Sequence, residues 1–233
     1  MISPPPPAPP ARPPREPPGP PRRDVVMFDF DGVVVDSLEA FATALTVACE
    51  EQGIAVVRSV DDVVGLLNGN VYEGFRAAGV DEQGAVRAMT AAIRTLERDL
   101  SRLRPFPGVA DALARLGERF DVVIVTSNSE RLVGSFLAEH GITGVAAVAG
   151  VESGVSKIEK IAAVARRYPS QRVFPFIADT AGDMREARAA GAEPIGVGWG
   201  WHDAERLRAA GATRVVASPE ELLELLEPPR RDG

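Results

Sequence analysis

The sequence predicts an α/β protein whose core is a parallel sheet, with a small helical domain inserted after the first strand. From residue 109 onward, short apolar runs rich in valine and isoleucine alternate with amphipathic segments. Parallel strands need crossover connections, which are usually helices, so this alternation favours a parallel sheet. Residues 37–105 show only helical periodicity. The composition, 45% hydrophobic and 25% charged, is typical of a globular protein.

The two ends of the chain are expected to lie outside the fold. Twelve of the 20 prolines fall within residues 1–23, where almost nothing apolar is available for burial. Proline removes backbone donors and favours extended polyproline conformations, so this segment is predicted to be a disordered tail. Residues 228–233 are assigned to a second short tail. The remaining chain divides into a core, residues 24–36 and 106–227, and a helical cap, residues 37–105.

The first core strand is the run from Asp24 to Phe28, which is apolar enough to be covered on both faces. The first cap helix follows, with Asp36 or Ser37 as its N-cap. Shorter helices are expected near residues 60–67 and 70–78, separated by an Asn-Gly-Asn turn. The last cap helix shows an apolar stripe that predicts one buried face. Its members are Val86, Met89, Ile93, Leu96, Leu100 and Leu103.

The second half of the chain reads as regular strand and helix pairs. Strands are predicted at residues 121–125, 145–150, 173–178, 194–197 and 214–217, and helices at residues 109–116, 130–139, 157–167 and up to 190. The closing helix begins after Ser218, which forms a capping box with Glu221. Gly141 and Gly191 are placed to end helices.

Charge, cysteine content and hydropathy narrow the functional classes. The net charge of −7 argues against a nucleic-acid partner. The single cysteine, Cys49, excludes an internal disulfide and fits a reducing compartment, so a cytoplasmic protein is expected. No apolar run approaches the length of a membrane span. We expect a monomer or homodimer without membrane contact.

Polar residues follow several of the predicted strands at their carboxyl ends, where open parallel sheets bind ligands. These residues are Asp29 and Asp31, Thr126, Ser127 and Asn128, Lys157, and Asp179 with Asp183. Two close carboxylates repel each other, and a divalent cation such as Mg²⁺ relieves the repulsion. Singly, Thr126 is also explained as a helix cap, and Asp179 and Asp183 as a cap and a surface acid. Together they supply the groups that phosphoryl transfer through an aspartyl phosphate requires.

The order of these motifs resembles the haloacid dehalogenase-like hydrolase superfamily, in the branch similar to phosphoglycolate phosphatases. Asp29-Phe30-Asp31-Gly32-Val33 is similar to the first family motif, and Thr126 to the second. Lys157 is similar to the third, with Lys160 one turn later as an alternative, and Asp179 to Asp183 resembles the fourth. The resemblance implies a Rossmann-like core with a helical cap. Ala178 stands where the family usually has glycine, so crowding of the metal loop is expected there.

The resemblance also implies roles for the motif residues. Asp29 would attack phosphorus, and Asp31 would act first as acid and then as base. Thr126, Ser127 and Lys157 would hold the phosphoryl group. Mg²⁺ would be held by Asp29, by the backbone carbonyl of Asp31, by Asp179 and, less directly, by Asp183. The expected function is therefore a Mg²⁺-dependent phosphatase for a small phosphorylated metabolite, phosphoglycolate-like or a sugar phosphate. A phosphomutase, or a non-catalytic binding or regulatory protein on this fold, stays open.

Overall fold

The computed structural model describes residues 23–67, 71–98, 103–154 and 156–227. Their centre is a six-stranded parallel sheet with the strand order β5-β4-β1-β6-β7-β8. Two further strands, β2 and β3, pair antiparallel in a separate two-stranded sheet. In chain order the strands are β1 Val25–Phe28, β2 Val35–Asp36, β3 Arg104–Pro105, β4 Asp121–Val125, β5 Val145–Ala149, β6 Pro175–Ala178, β7 Glu193–Val197 and β8 Arg214–Val216.

Strand β1 lies in the middle of the sheet and fixes where the site forms. Its residues are all buried, as expected for an apolar strand with helices on both faces. It pairs in register with β4 on one side (Val26 with Val122) and β6 on the other (Met27 with Phe176). The chain runs outward from β1 through β4 and β5, then crosses to β6. The strand order therefore reverses beside β1, which is where open α/β sheets bind their ligands.

Ten α-helices occur in the described part of the chain. They are α1 Leu38–Glu51, α2 Val60–Leu66, α3 Val71–Ala77, α4 Glu82–Arg98, α5 Val109–Gly117, α6 Glu130–Glu139, α7 Lys157–Ala165, α8 Ala181–Ala189, α9 Ala204–Ala209 and α10 Pro219–Leu226. Helices α5, α6 and α10 contribute to the apolar cluster on one face of the sheet, whereas α7, α8 and α9 contribute to the cluster on the opposite face. Both faces of the sheet are thus covered, and the predicted α/β class is confirmed.

Helices α1 to α4, here called the helical unit, pack around an apolar cluster of their own. The predicted stripe on α4 is only partly correct. Met89 is buried, but Val86 is 44% exposed, and the buried face runs instead through Ala85, Ala88 and Ala92. Small alanine side chains on α4 and on α1 allow the two helices to approach closely, so alanine fills the interface that longer side chains were expected to fill.

The remaining differences from the prediction concern the ends of elements and three short elements that the sequence does not predict. Two of these are strands β2 and β3, and β3 lies within the range expected to be helical throughout. Strand β6 begins at Pro175 rather than residue 173, and α7 ends at Ala165 rather than residue 167. Helix α9 was not predicted, although Asp203 caps it by accepting a hydrogen bond from the Arg206 amide. The two predicted tails (apart from Arg23), the Asn-Gly-Asn turn and Leu100 fall outside the described residues. Among the described helices, none combines the length and apolarity needed to cross a bilayer.

Candidate active site

The turn after β1 presents the first pair of carboxylates. The amide of Asp29 donates to the Ile177 carbonyl at 2.8 Å, which ties the start of this turn to β6. Gly32 has a φ of 72°, a left-handed conformation that costs glycine little. A side chain at Gly32 would also overlap the carboxylate of Asp179. Glycine is therefore required at this position on two independent grounds, conformation and space.

A buried lysine joins two of the predicted carboxylates. Lys157 Nζ lies 2.9 Å from Asp29 Oδ2 and 2.5 Å from Asp183 Oδ1, and the three side chains are at most 12% exposed. Burial raises the pKa of Asp29 to about 8, although Lys157 opposes the shift. Burial works against the charge on Lys157, but the carboxylates of Asp183 and Asp29 outweigh it and raise the pKa of the ammonium. Lys157 is therefore a fixed positive charge in the site.

Asp179 has one carboxylate oxygen that lacks a hydrogen-bond partner. It is fully buried, and its Oδ2 accepts a hydrogen bond from the Trp201 amide at 2.8 Å. Its Oδ1 is buried without any hydrogen-bond partner. Burial, followed by the charges of Asp29 and Asp183, raises the pKa of Asp179 well above its ordinary value. An orphaned buried oxygen of this kind is costly unless a cation binds it.

Asp179 belongs to a three-carboxylate cluster. One oxygen each of Asp29, Asp179 and Asp183 lies within 4.8 Å of the others, and all three residues are buried. Hard carboxylate oxygens are the ligands that Mg²⁺ prefers. Asp183 is already held by Lys157 and by the Thr180 hydroxyl at 2.5 Å, so it supports the cluster from one side. The residues therefore fit a divalent cation, with Asp179 Oδ1 as the open ligand.

Asp31 is held separately from that cluster. Its Oδ1 accepts a hydrogen bond from the Ser37 hydroxyl at 2.6 Å, and its Oδ2 accepts one from the side-chain amide of Asn128 at 2.5 Å. Burial raises the pKa of Asp31, whereas these two hydrogen bonds stabilise the carboxylate and lower it. Ser37 precedes α1 but makes no side-chain cap there, because its hydroxyl is directed to Asp31. Both oxygens of Asp31 thus have fixed donors.

The loop after β4 holds Thr126, which is fully buried and whose hydroxyl accepts a hydrogen bond from the backbone amide of Asn128. Thr126 is not the cap of α6, since Ser129 fills that position. Ser127, the other predicted phosphate ligand, is exposed. Lys160, the alternative third-motif lysine, is buried and donates to the Thr126 carbonyl at 2.5 Å and the Gly150 carbonyl at 3.4 Å. Lys157, rather than Lys160, therefore contacts the carboxylates.

Two further expectations concern the loop after β6. Thr180 is the N-cap of α8 and accepts a hydrogen bond from the Asp183 amide, so Asp179 is free of that role. Ala178 is fully buried, and its methyl group belongs to the apolar cluster shared by β6 and α8. The methyl group is accommodated by the apolar core, so the crowding of the metal loop that the sequence led us to expect at Ala178 is not seen.

Of the seven residues predicted for the site, six fall into two groups. Lys157 contacts the three-carboxylate cluster, and Asp31 and Thr126 share Asn128 as a hydrogen-bond partner, whereas Ser127 is exposed. The sequence places Asn128 among the polar residues at the strand ends but assigns it no role, and it indicates Ser37 only as a helix cap. Trp201 is not indicated at all. Asn128 lies in the polar run 126–129 that follows β4, and its side-chain amide binds the carboxylate of Asp31. The contribution of Trp201 is a backbone amide, which no residue pattern indicates.

Comparisons with known proteins show what this chain is similar to. The family model for haloacid dehalogenase-like hydrolases matches residues 26–197. A phosphoglycolate phosphatase of Synechococcus elongatus is 29% identical over 204 residues, which is 85% of this chain and 95% of the relative. A phosphoglycolate phosphatase of Chromobacterium violaceum is 28% identical, over 87% of this chain and 96% of the relative.

A relative with a different activity in its name, the tyrosine-protein kinase PtkA of Mycobacterium tuberculosis, is 27% identical over 87% of this chain and 72% of its own length. Among solved structures, a predicted phosphatase of Clostridium acetobutylicum superposes with a TM-score of 0.75 at 20% identity, covering 88% of this chain and 98% of that one. At that identity the likeness extends to the fold alone.

Proposed function

The chain belongs to the haloacid dehalogenase-like hydrolase family, and we propose that it is a Mg²⁺-dependent phosphatase acting on a small phosphorylated metabolite through an aspartyl phosphate. The observation that carries the proposal is the contact between Asp29 and Lys157 at 2.9 Å, beside the open oxygen of Asp179. A buried nucleophilic carboxylate, a fixed cation and a metal ligand in one place are the requirements of phosphoryl transfer. The names of two relatives support phosphoglycolate-like esters as the substrate class.

The proposed mechanism has two steps at Asp29. In the first, an Asp29 oxygen forms a bond to phosphorus while the bond to the leaving oxygen breaks, and Asp31 gives its proton to that oxygen. In the second, Asp31 takes a proton from water, whose oxygen attacks the phosphorus and releases phosphate and the Asp29 carboxylate. Ser37 and Asn128 keep both oxygens of Asp31 in fixed positions through the two steps.

Charge is neutralised by groups that are already in place. Lys157 faces the Asp29 oxygen and so lies where negative charge accumulates in the transition state. Thr126 and the following backbone would hold phosphoryl oxygens. Mg²⁺, held by Asp29, Asp179, the Asp31 carbonyl and, less directly, Asp183, would keep Asp29 ionised at neutral pH and offset phosphate charge.

The helical unit serves as the cap in this proposal. It contacts the core beside the carboxylate cluster, where the Leu67 carbonyl accepts a hydrogen bond from the Gly182 amide at 3.3 Å. A cover at this position excludes water during the first step and reads the leaving group. The buried, unpaired Cys49 within this unit is compatible with a reducing cytoplasm.

The test is phosphate release from a panel of phosphorylated carboxylic acids and sugar phosphates with Mg²⁺. We expect turnover that EDTA and Asp29→Asn both abolish, and a phosphoenzyme in the wild type that Asp29→Asn does not form. Because one relative is named a tyrosine-protein kinase, a parallel assay with labelled ATP and no ester tests for phosphoryl transfer to protein. Product analysis separates hydrolysis from a mutase. An ester hydrolysed equally fast by Asp29→Asn would contradict the proposal.

A further inference from the structure

The segment that follows β7 contacts both the carboxylate cluster and the helical unit. On the core side, the Trp201 amide holds Asp179 Oδ2, and the His202 amide donates to the Asp179 carbonyl at 3.2 Å. On the other side, the Trp201 ring stacks on Phe41 of α1, with centroids 5.7 Å apart and planes at 23°. This segment is therefore a short physical connection between Asp179 and the helical unit.

The side chain of His202 makes the same connection with directional bonds. It is 2% exposed, and its Nδ1 lies 2.9 Å from the Ala181 amide, which can only donate. Nδ1 is therefore the acceptor, and the neutral ring carries its proton on Nε2. Nε2 then donates to the Val64 carbonyl of α2 at 3.2 Å. Burial and the nearby Arg206 lower the pKa of His202, which keeps this neutral form.

The core contacts α2 at backbone carbonyls of its C-terminal end, one of which is the partner of His202. Val64 is in the last turn of α2, and its carbonyl also accepts hydrogen bonds from Arg206 Nη2 at 3.2 Å and, at a longer 3.4 Å, from the Leu67 amide. The carbonyl of Leu67, one residue beyond the helix, accepts the Gly182 amide. Carbonyls at a helix C-terminus lack a full set of intrahelical donors and carry partial negative charge, so donors and a cation from the core stabilise this end of α2.

We propose that His202 is a positioning residue that couples docking of the helical unit to the conformation of the metal loop, here residues 179–183. One imidazole holds the amide of Ala181 inside that loop and a carbonyl of α2 outside it, so neither can move without weakening the other's bond. Because coupling free energies are reciprocal, binding of Mg²⁺ at the loop tightens α2 against the core, and docked α2 favours Mg²⁺ binding. The Mg²⁺ arm of this inference rests on the proposed function.

The experiment is hydrogen exchange of the full chain, read in peptides covering α2 and the metal loop, with and without Mg²⁺. Mg²⁺ affinity is read in parallel from thermal shifts, so no turnover is needed. His202→Asn keeps an acceptor near Ala181 but does not reach Val64, whereas His202→Gln reaches Val64 but loses the acceptor for Ala181. Arg206→Gln weakens the second bond to the Val64 carbonyl without touching the metal loop, and is the matched control.

In the wild type we expect Mg²⁺ to slow exchange in both the metal loop and α2. In His202→Asn, exchange in α2 rises by about 3- to 10-fold without metal, the net value of one hydrogen bond, and Mg²⁺ no longer slows it. His202→Gln weakens Mg²⁺ binding more than His202→Asn does. Arg206→Gln speeds exchange in α2 but leaves the response to Mg²⁺ intact. A merely structural role of His202 would lower stability without removing the response of α2 to Mg²⁺.

Two results would overturn the inference. One is an unchanged response of α2 to Mg²⁺ in both His202 variants. The other is faster exchange confined to one side of His202, in α2 alone or in the loop alone, for both variants without metal. Failure of the wild type to bind Mg²⁺ would instead contradict the proposed function, and the metal-free exchange of α2 and the loop would still decide the coupling. In kinetics, a coupled cap predicts that His202→Asn raises KM more than it lowers kcat.

Discussion

Lys157 Nζ lies 2.9 Å from Oδ2 of Asp29, and both side chains are almost completely buried. A buried carboxylate is costly to ionise, and the adjacent ammonium offsets part of that cost. The same ammonium contacts Asp183, so one cation serves both the proposed nucleophile and the residue that supports the metal cluster. The other lysine on α7, Lys160, contacts backbone carbonyls instead.

Substitution of each lysine should therefore distinguish the catalytic role of Lys157 from the structural role of Lys160. We expect Lys157→Met to lower kcat by about 10²- to 10³-fold, because the developing charge on the phosphoryl group loses its fixed cation. Lys160→Met should lower kcat by less than about tenfold, since Lys160 holds only the ends of β4 and β5. The measurement is kcat for the best ester, with thermal unfolding of both variants. Equal losses of kcat would show that Lys157 has no special role.

The hydrogen bonds to Asp31 should set the pH dependence of turnover. The side-chain amide of Asn128 donates to Asp31, favours its charged form and so lowers its pKa. In Asn128→Ala the pKa of Asp31 rises, and the acidic limb of the kcat profile, where Asp31 must be ionised to act as base, moves up by about one pH unit. Ser37→Ala is the matched variant at the other oxygen and should shift the limb in the same direction. A profile that moves in neither variant would exclude Asp31 as the titrating base.

Much of this arrangement was predictable from the sequence, for reasons that particular residues show. Asp29, Thr126, Lys157 and Asp179 follow apolar runs, and in a parallel sheet the ends of those runs must meet at one edge. The partners of Asp31 were not predictable in the same way. Ser37 looked like a helix cap because its position before α1 suits one, and only tertiary contact shows that its hydroxyl is directed elsewhere.

The face of α4 illustrates a second limit. Apolar periodicity identified the helix but pointed to Val86, which is exposed, and passed over the alanines that pack against α1. Alanine is neutral in a hydrophobic pattern, and its value at an interface depends on how closely the neighbouring helix approaches. That distance is a property of the pair of helices, which a pattern along one of them does not contain.

The metal cluster predicts how stability depends on pH and on Mg²⁺. Burial raises the pKa of Asp29 from 3.8 to about 8. A group with a raised folded pKa stabilises the fold fully below its unfolded pKa, and that contribution is lost as pH rises through the folded value. The free energy of unfolding of the metal-free protein should therefore fall between about pH 4 and pH 8. Asp179, whose pKa is also raised, acts in the same direction.

Binding of Mg²⁺ should restore the free energy of unfolding that the metal-free protein loses at higher pH. At 100 times its Kd, Mg²⁺ adds about 2.7 kcal/mol, which raises Tm by about 5 to 10 °C for a chain of this size. Asp179→Asn should be more stable than the wild type without metal at pH 8, and should show no such rise with Mg²⁺. The measurement is thermal unfolding at pH 5 and pH 8, with Mg²⁺ or EDTA. A variant that keeps the full Mg²⁺ shift would remove Asp179 from the metal site.

Space around Asp179 gives a test that changes no charged group. A side chain at Gly200 would overlap Asp179 Cβ and approach the Gly32 carbonyl to 2.6 Å. We expect Gly200→Ala to displace Asp179, abolish the Mg²⁺-dependent rise in Tm and lower turnover at least about 100-fold, because the metal ligand is misplaced.

Gly134, inside α6, has nothing within 4 Å of an added Cβ. Gly134→Ala is the matched control and should raise Tm by about 1 to 4 °C, since alanine favours the helix interior. Both variants add one methyl group, so a loss of the Mg²⁺ response confined to Gly200→Ala would assign the effect to Asp179. An intact Mg²⁺-dependent rise in Tm in Gly200→Ala would contradict the predicted overlap between the added methyl group and Asp179.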